Sequence, residues 1–110
     1  MLFRSHAKLR ELRARLALTA IVLESPDPVA AREALASNPR DSAARYALAA
    51  HHALAGDFAT ALAEWLELMR SDRSFGDDAG RRALVLAFDV LGDSHELVAA
   101  YRRKMANLLH

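Results

Sequence analysis

No cysteine occurs among the 110 residues. That removes disulfides, thiolate nucleophiles and zinc–sulfur sites, and it fits a reducing cytoplasm. Glycine and proline are scarce, at four and three residues, so the chain has few built-in breaks. Valine, isoleucine and threonine are sparse while alanine is abundant, a balance that favours helix over strand. No apolar run is long enough to span a bilayer, and Met1-Leu2-Phe3-Arg4 lacks the charged-then-apolar order of a secretory leader. A net charge of +1 leaves no global field to gather nucleic acid or membrane.

What is present reads as one all-α domain of about six helices. The stretch from Asp41 to Asp72 organises it. Tyr46, Leu48, Ala49 and His52 recur at helical spacing, and so do Phe58, Ala61, Leu62, Trp65, Leu68 and Met69. Between them Gly56 supplies the left-handed C′ position and Asp57 the next N-cap. So short a link predicts two antiparallel helices packed side by side.

Upstream, residues 1–37 form a helical pair. The first helix is expected from about Ser5, as N-cap, to Leu23. Leu9, Leu12, Leu16, Ala20 and Leu23 form one stripe, and Leu18, Ile21 and Val22 make the second half apolar nearly all round. Such a segment is either central in the bundle or in contact with something else. Ser25-Pro26-Asp27-Pro28 stops it, with Asp27 capping a short helix from Pro28 to Ser37 that presents Val29, Ala31, Ala34 and Leu35. Downstream, Phe75 is expected to plug the connection onto the core. A fifth helix starts near Asp77 and ends at Gly92, and a sixth is capped by Asp93 or Ser94.

Laying Gly56-Asp57 on Gly92-Asp93 brings Leu48 onto Leu84, His52 onto Phe88, Trp65 onto Tyr101 and Met69 onto Met105. This internal repeat is close to the tetratricopeptide period of about 34 residues. Residues 38–110 therefore read as two hairpins of tetratricopeptide type, with small residues at Ala49 and Ala61 allowing close helix approach.

From Asn38-Pro39-Arg40-Asp41 onward the chain resembles the C-terminal domain of the chaperedoxins, bacterial thioredoxin-like co-chaperones. The resemblance runs through Ala44-Arg45-Tyr46-Ala47-Leu48-Ala49, Gly56-Asp57-Phe58, Leu66-Glu67-Leu68-Met69-Arg70, Asp72-Arg73-Ser74-Phe75 and Tyr101-Arg102-Arg103. It implies a module that follows a thioredoxin domain in a longer protein. It also implies protein partners, namely a GroEL-type chaperonin and unfolded clients. Carried over, chaperonin docking falls on Tyr101, Arg102, Arg103, Met105, Leu108 and Leu109, and His110 departs from the apolar or aromatic residue expected there. Tyr46 and Trp65 are candidates for lining a peptide groove on the concave hairpin face.

No chemistry stands out against this. His51-His52 point about 100° apart on a helix with no ligand one turn away, and Asp77-Asp78 read as helix caps. Ser5-His6 and Ser94-His95 lack a Gly-rich elbow or third member. Neither catalysis, cofactor nor metal is expected. The alternatives are a helical scaffold that homodimerises through the first helix, and nucleic-acid binding through Arg4, Lys8, Arg10, Arg13 and Arg15.

Overall fold

The computed structural model describes the backbone of residues 2–109 and the side chains of residues 5–109. The side chain of Arg4 in the basic strip, and all of His110, fall outside those ranges. Six helices follow in order: α1 (Leu2–Leu23), α2 (Pro28–Ser37), α3 (Ser42–Leu54), α4 (Phe58–Ser71), α5 (Ala79–Leu91) and α6 (Glu96–Leu109). Among the described residues there is no strand, so the all-α expectation holds.

Local chemistry sets most of the boundaries. Asp27, Asp41 and Asp57 each accept a hydrogen bond from the backbone N–H three residues on, at 2.9, 3.0 and 3.2 Å. Gly56 and Gly92 end α3 and α5 with φ of +92° and +91°, which only glycine adopts without strain. The paired turns support the internal repeat.

Three caps differ from expectation. Ser5 lies inside α1, because nothing between Leu2 and Arg4 breaks a helix. Neither Asp93 nor Ser94 caps α6; His95 does, its Nδ1 accepting from the Leu97 N–H at 3.1 Å. Asp78 sits at the N-cap of α5 but makes no capping bond there. Gly76, Asp77 and Asp78 all have positive φ, and this left-handed turn aims the Asp78 carboxylate at Arg81, 3.2 Å away. Arg82 holds the turn by donating to the carbonyls of Gly76 and Asp77 at 2.7 and 3.0 Å. Asp77, exposed and at φ +58°, stores backbone strain that glycine would not. Asp77→Gly is expected to raise unfolding stability by about 0.5 kcal/mol, net of glycine's extra unfolded-state entropy; chemical denaturation measures it.

The core joins α1, α3, α4, α5 and α6 around Trp65, Leu62, Met69, Leu84, Phe88 and Val98. α3 and α4 pack closely along their length, as Ala49 and Ala61 predict. The second hairpin is wider, and α6 makes its closest backbone approaches to α4 rather than α5. In the repeat register Val85 and Leu97 stand where Ala49 and Ala61 stand in the first unit, and larger side chains at the contact set helices farther apart. Phe75, expected to plug onto the core, instead packs on the partly buried Tyr46, with ring centroids 5.8 Å apart, and is not part of the buried cluster itself.

α1 runs along both α3 and α5. It buries Ala14 and Leu18, with Ile21 and Val22 beside them. The expected stripe is not the buried one: Leu9, Leu12, Leu16 and Leu23 are 48, 46, 71 and 80 % exposed. At about 100° per residue they lie diametrically opposite Ala14 and Leu18. Val29 of α2 is likewise exposed, while Ala31 is fully buried.

Candidate protein-docking surface

α1 covers the face formed by α3 and α5, so the concave groove expected on that face is filled by the chain itself. Trp65 is fully buried and lines no groove. Tyr46 is half-buried on Phe75, in a small cleft with Ile21, Ser25 and Pro26 at the foot of α1. Burial raises the Tyr46 phenol above its ordinary pKa, with Arg82 opposing. The two groove candidates thus do not share a surface.

An open cleft lies on the other side, between α4 and α6. It encloses about 370 Å³ and is lined by Ala63, Leu66, Glu67 and Arg70 from α4 and by Tyr101, Lys104, Asn107 and Leu108 from α6. Both sets step by three and four residues, so each is one edge of its helix. Leu66, Tyr101 and Leu108 give the cleft an apolar floor. Lys104 lies over the Tyr101 ring, with Nζ 5.6 Å from its centroid. Arg70 grips Glu67 through two hydrogen bonds, with Nε donating at 2.7 Å. The Arg70 hydrogen bond holds the Glu67 carboxyl below its usual range. The rim therefore carries one internally balanced pair and the Lys104 cation.

The six α6 residues expected to dock do not form one surface. Tyr101 and Leu108 line the cleft. Met105 points into the core, 8 % exposed. Arg102 sits on the α5 side, bonded to Asp93 at 2.9 Å with its guanidinium 5.6 Å from the Phe88 ring centroid. Arg103 is exposed on the outer face, and Leu109, half-exposed, is on the Arg102 edge. The sequence reading missed the α4 wall of the cleft. Its signal was the spacing of Ala63, Leu66 and Arg70, which becomes a wall only because α6 leans on α4. It also missed Arg73, whose guanidinium donates to the Leu108 carbonyl at 2.6 Å and ties the end of α6 to the 72–78 connection.

Elsewhere the side chains are committed to structure. His51 has Nε2 2.8 Å from the Pro26 carbonyl, and His52 Nδ1 lies 3.8 Å from the Asp57 carboxylate. No cluster of three potential metal-binding side chains occurs among the described residues. The α1 cations do not form one strip. Lys8 and Arg15 share Glu11 on one flank of the leucine stripe, and Arg10 and Arg13 lie on the other.

The cleft has a counterpart in the first repeat. Tyr101 takes the position of Trp65, which α5 covers, with the backbone at Gly80 against the Trp65 carbonyl. Tyr101 is only partly buried against the core, so a position fully buried in one repeat keeps an exposed edge in the next. No curated protein and no solved structure matches the chain. A tetratricopeptide repeat model matches residues 23–110, from the end of α1 through α6. The six-helix array with its repeated glycine turns agrees with that match, and the chain belongs to the tetratricopeptide repeat family, whose helical hairpins serve protein–protein interaction.

Proposed function

We propose that this domain is the C-terminal interaction module of a cytoplasmic thioredoxin-like co-chaperone, without catalysis or cofactor of its own. It docks on a GroEL-type chaperonin through the α4–α6 cleft and shares responsibility for unfolded clients with the rest of that protein. The observation that carries this reading is the partly exposed edge of Tyr101 in the cleft, with Leu66 and Leu108 beside it and Lys104 above it. An apolar floor with a charged rim suits an amphipathic segment of a partner. The resemblance that begins at Asn38 includes both Leu66-Glu67-Leu68-Met69-Arg70 and Tyr101-Arg102-Arg103 and supplies the partner's identity.

The test uses purified chaperonin flowed over the immobilised chain. Deleting residues 107–110 or making Tyr101→Ala is expected to weaken capture at least about tenfold, the effect of losing one interface anchor. Lys104→Glu, on an exposed side chain that leaves the core untouched, is expected to weaken it several-fold and to alter its salt dependence. No capture by the intact chain overturns the proposal, and so does undiminished capture by all three variants.

A further inference from the structure

The leucine stripe on α1 faces away from the body of the protein, and its spacing is that of a helix–helix seam. Leu9, Leu12, Leu16 and Leu23 fall three, four and seven residues apart, the a and d positions of a heptad pattern. A surface helix normally turns such a stripe inward. Here α1 already buries a separate face, through Ala14 and Leu18, on α3 and α5. The stripe lies opposite that face, so a partner can approach without displacing any described element.

The charges beside the stripe select the partner. From Lys8 to Arg15 the helix carries Lys8, Arg10, Arg13 and Arg15 against Glu11 alone. From Leu16 to its end at Leu23 it carries no charge, and Glu24 follows directly, its N–H still bonded to the Ala20 carbonyl at 3.2 Å. A parallel pairing of two such helices sets each cation beside its own copy, which repels. An antiparallel pairing lays the basic half of each helix along the uncharged half of the other. Arg13 and Glu24 lie on the same flank of the stripe, and flanks meet their own kind in an antiparallel pair. A register that sets Leu12 on the second copy's Leu23 therefore brings Arg13 of each chain towards Glu24 of the other. In the same register Leu16 of each chain faces Thr19 of the other, so the two Leu16 side chains flank the two-fold axis, an isologous contact that closes on itself. Both protein bodies lie outside the seam.

We propose that α1 is a homodimerisation helix, pairing antiparallel with α1 of a second copy through Leu12, Leu16 and Leu23. The α4–α6 cleft is on other elements, so this stands or falls independently of chaperonin docking.

Sedimentation equilibrium of the full chain over a wide concentration range is expected to show a monomer–dimer equilibrium. Leu16→Glu is expected to raise the dissociation constant at least about 100-fold, because both copies lose a central leucine. Leu16 is 71 % exposed, so circular dichroism of that variant is expected to match the parent. The absence of native cysteine makes orientation testable with introduced thiols. A short bis-maleimide should link Arg13→Cys chains to Glu24→Cys chains at least about tenfold faster than it links either to itself. A parent chain that stays monomeric at every concentration overturns the proposal. So does a Leu16→Glu variant that dimerises like the parent. Preferential self-linking of Arg13→Cys overturns the antiparallel arrangement.

Discussion

Trp65→Ala is expected to destabilise the domain by about 3–5 kcal/mol, the usual cost of truncating a buried tryptophan. That is a large part of the stability of a domain of this size. Trp65 is fully buried, the largest of the side chains that are, and it touches the core shared by α1, α3, α4, α5 and α6. Removing the indole opens a cavity between close-packed helices whose backbones are fixed by their neighbours. The indole also carries a cost. Its Nε1–H is buried without a hydrogen-bond partner, and an unpaired buried donor is worth about 1–3 kcal/mol against stability. Trp65→Phe removes that donor while keeping most of the ring volume. The lost packing and the relieved donor oppose each other, so Trp65→Phe is expected within about 1 kcal/mol of the parent. Urea unfolding of the three proteins checks both numbers. A Phe variant as unstable as the Ala variant would show that packing alone decides the site.

The burial of Trp65 separates what the sequence could show from what it could not. Its helical spacing marked it as a face residue, and its alignment with Tyr101 was legible. Which of the two is covered depends on where α5 crosses α4, a tertiary fact with no local signature. The aspartate caps of α2, α3 and α4, the bounds of α2 and the glycine turns were legible because each depends on residues within one turn. α1 was misread for a different reason. Hydrophobicity ranks four leucines above Ala14, so the leucine stripe looked like the core face. The face that packs on α3 and α5 presents Ala14 and Leu18, and in a core rich in small residues such as Ala49, Ala50, Ala53, Ala83 and Ala87 the small Ala14 fits where a leucine row would not. The candidate cleft was half legible: Tyr101 and Leu108 came from α6, but its α4 wall required knowing that α6 leans on α4.

That leaning begins from the seat of α5, and Gly80 sets how close the seat is. Gly80→Ala is expected to destabilise the domain by about 1–3 kcal/mol, although alanine is better than glycine in a helix by about 1 kcal/mol. A Cβ at position 80 would lie 3.1 Å from the Trp65 carbonyl oxygen and 3.3 Å from the Met69 nitrogen. Both are backbone atoms inside α4 and cannot turn aside as a side-chain tip can. The third neighbour, Leu68 Cγ at 3.4 Å, is in ordinary contact. Relief therefore requires α5 to shift away from α4 as a body, loosening the contacts of Ala83, Leu84 and Ala87 that follow on the same face. The repeat register provides the comparison, because Ala44 occupies in α3 the place of Gly80 in α5 and is itself buried. One methyl is accommodated in the first unit and excluded in the second. Ala44→Gly should therefore cost about the intrinsic propensity difference of 1 kcal/mol plus a small lost contact. Gly80→Ala should lose stability despite the propensity gain. A Gly80→Ala domain more stable than the parent in urea would mean that α5 is free to move on α4, and that the seat of the second repeat is looser than its geometry.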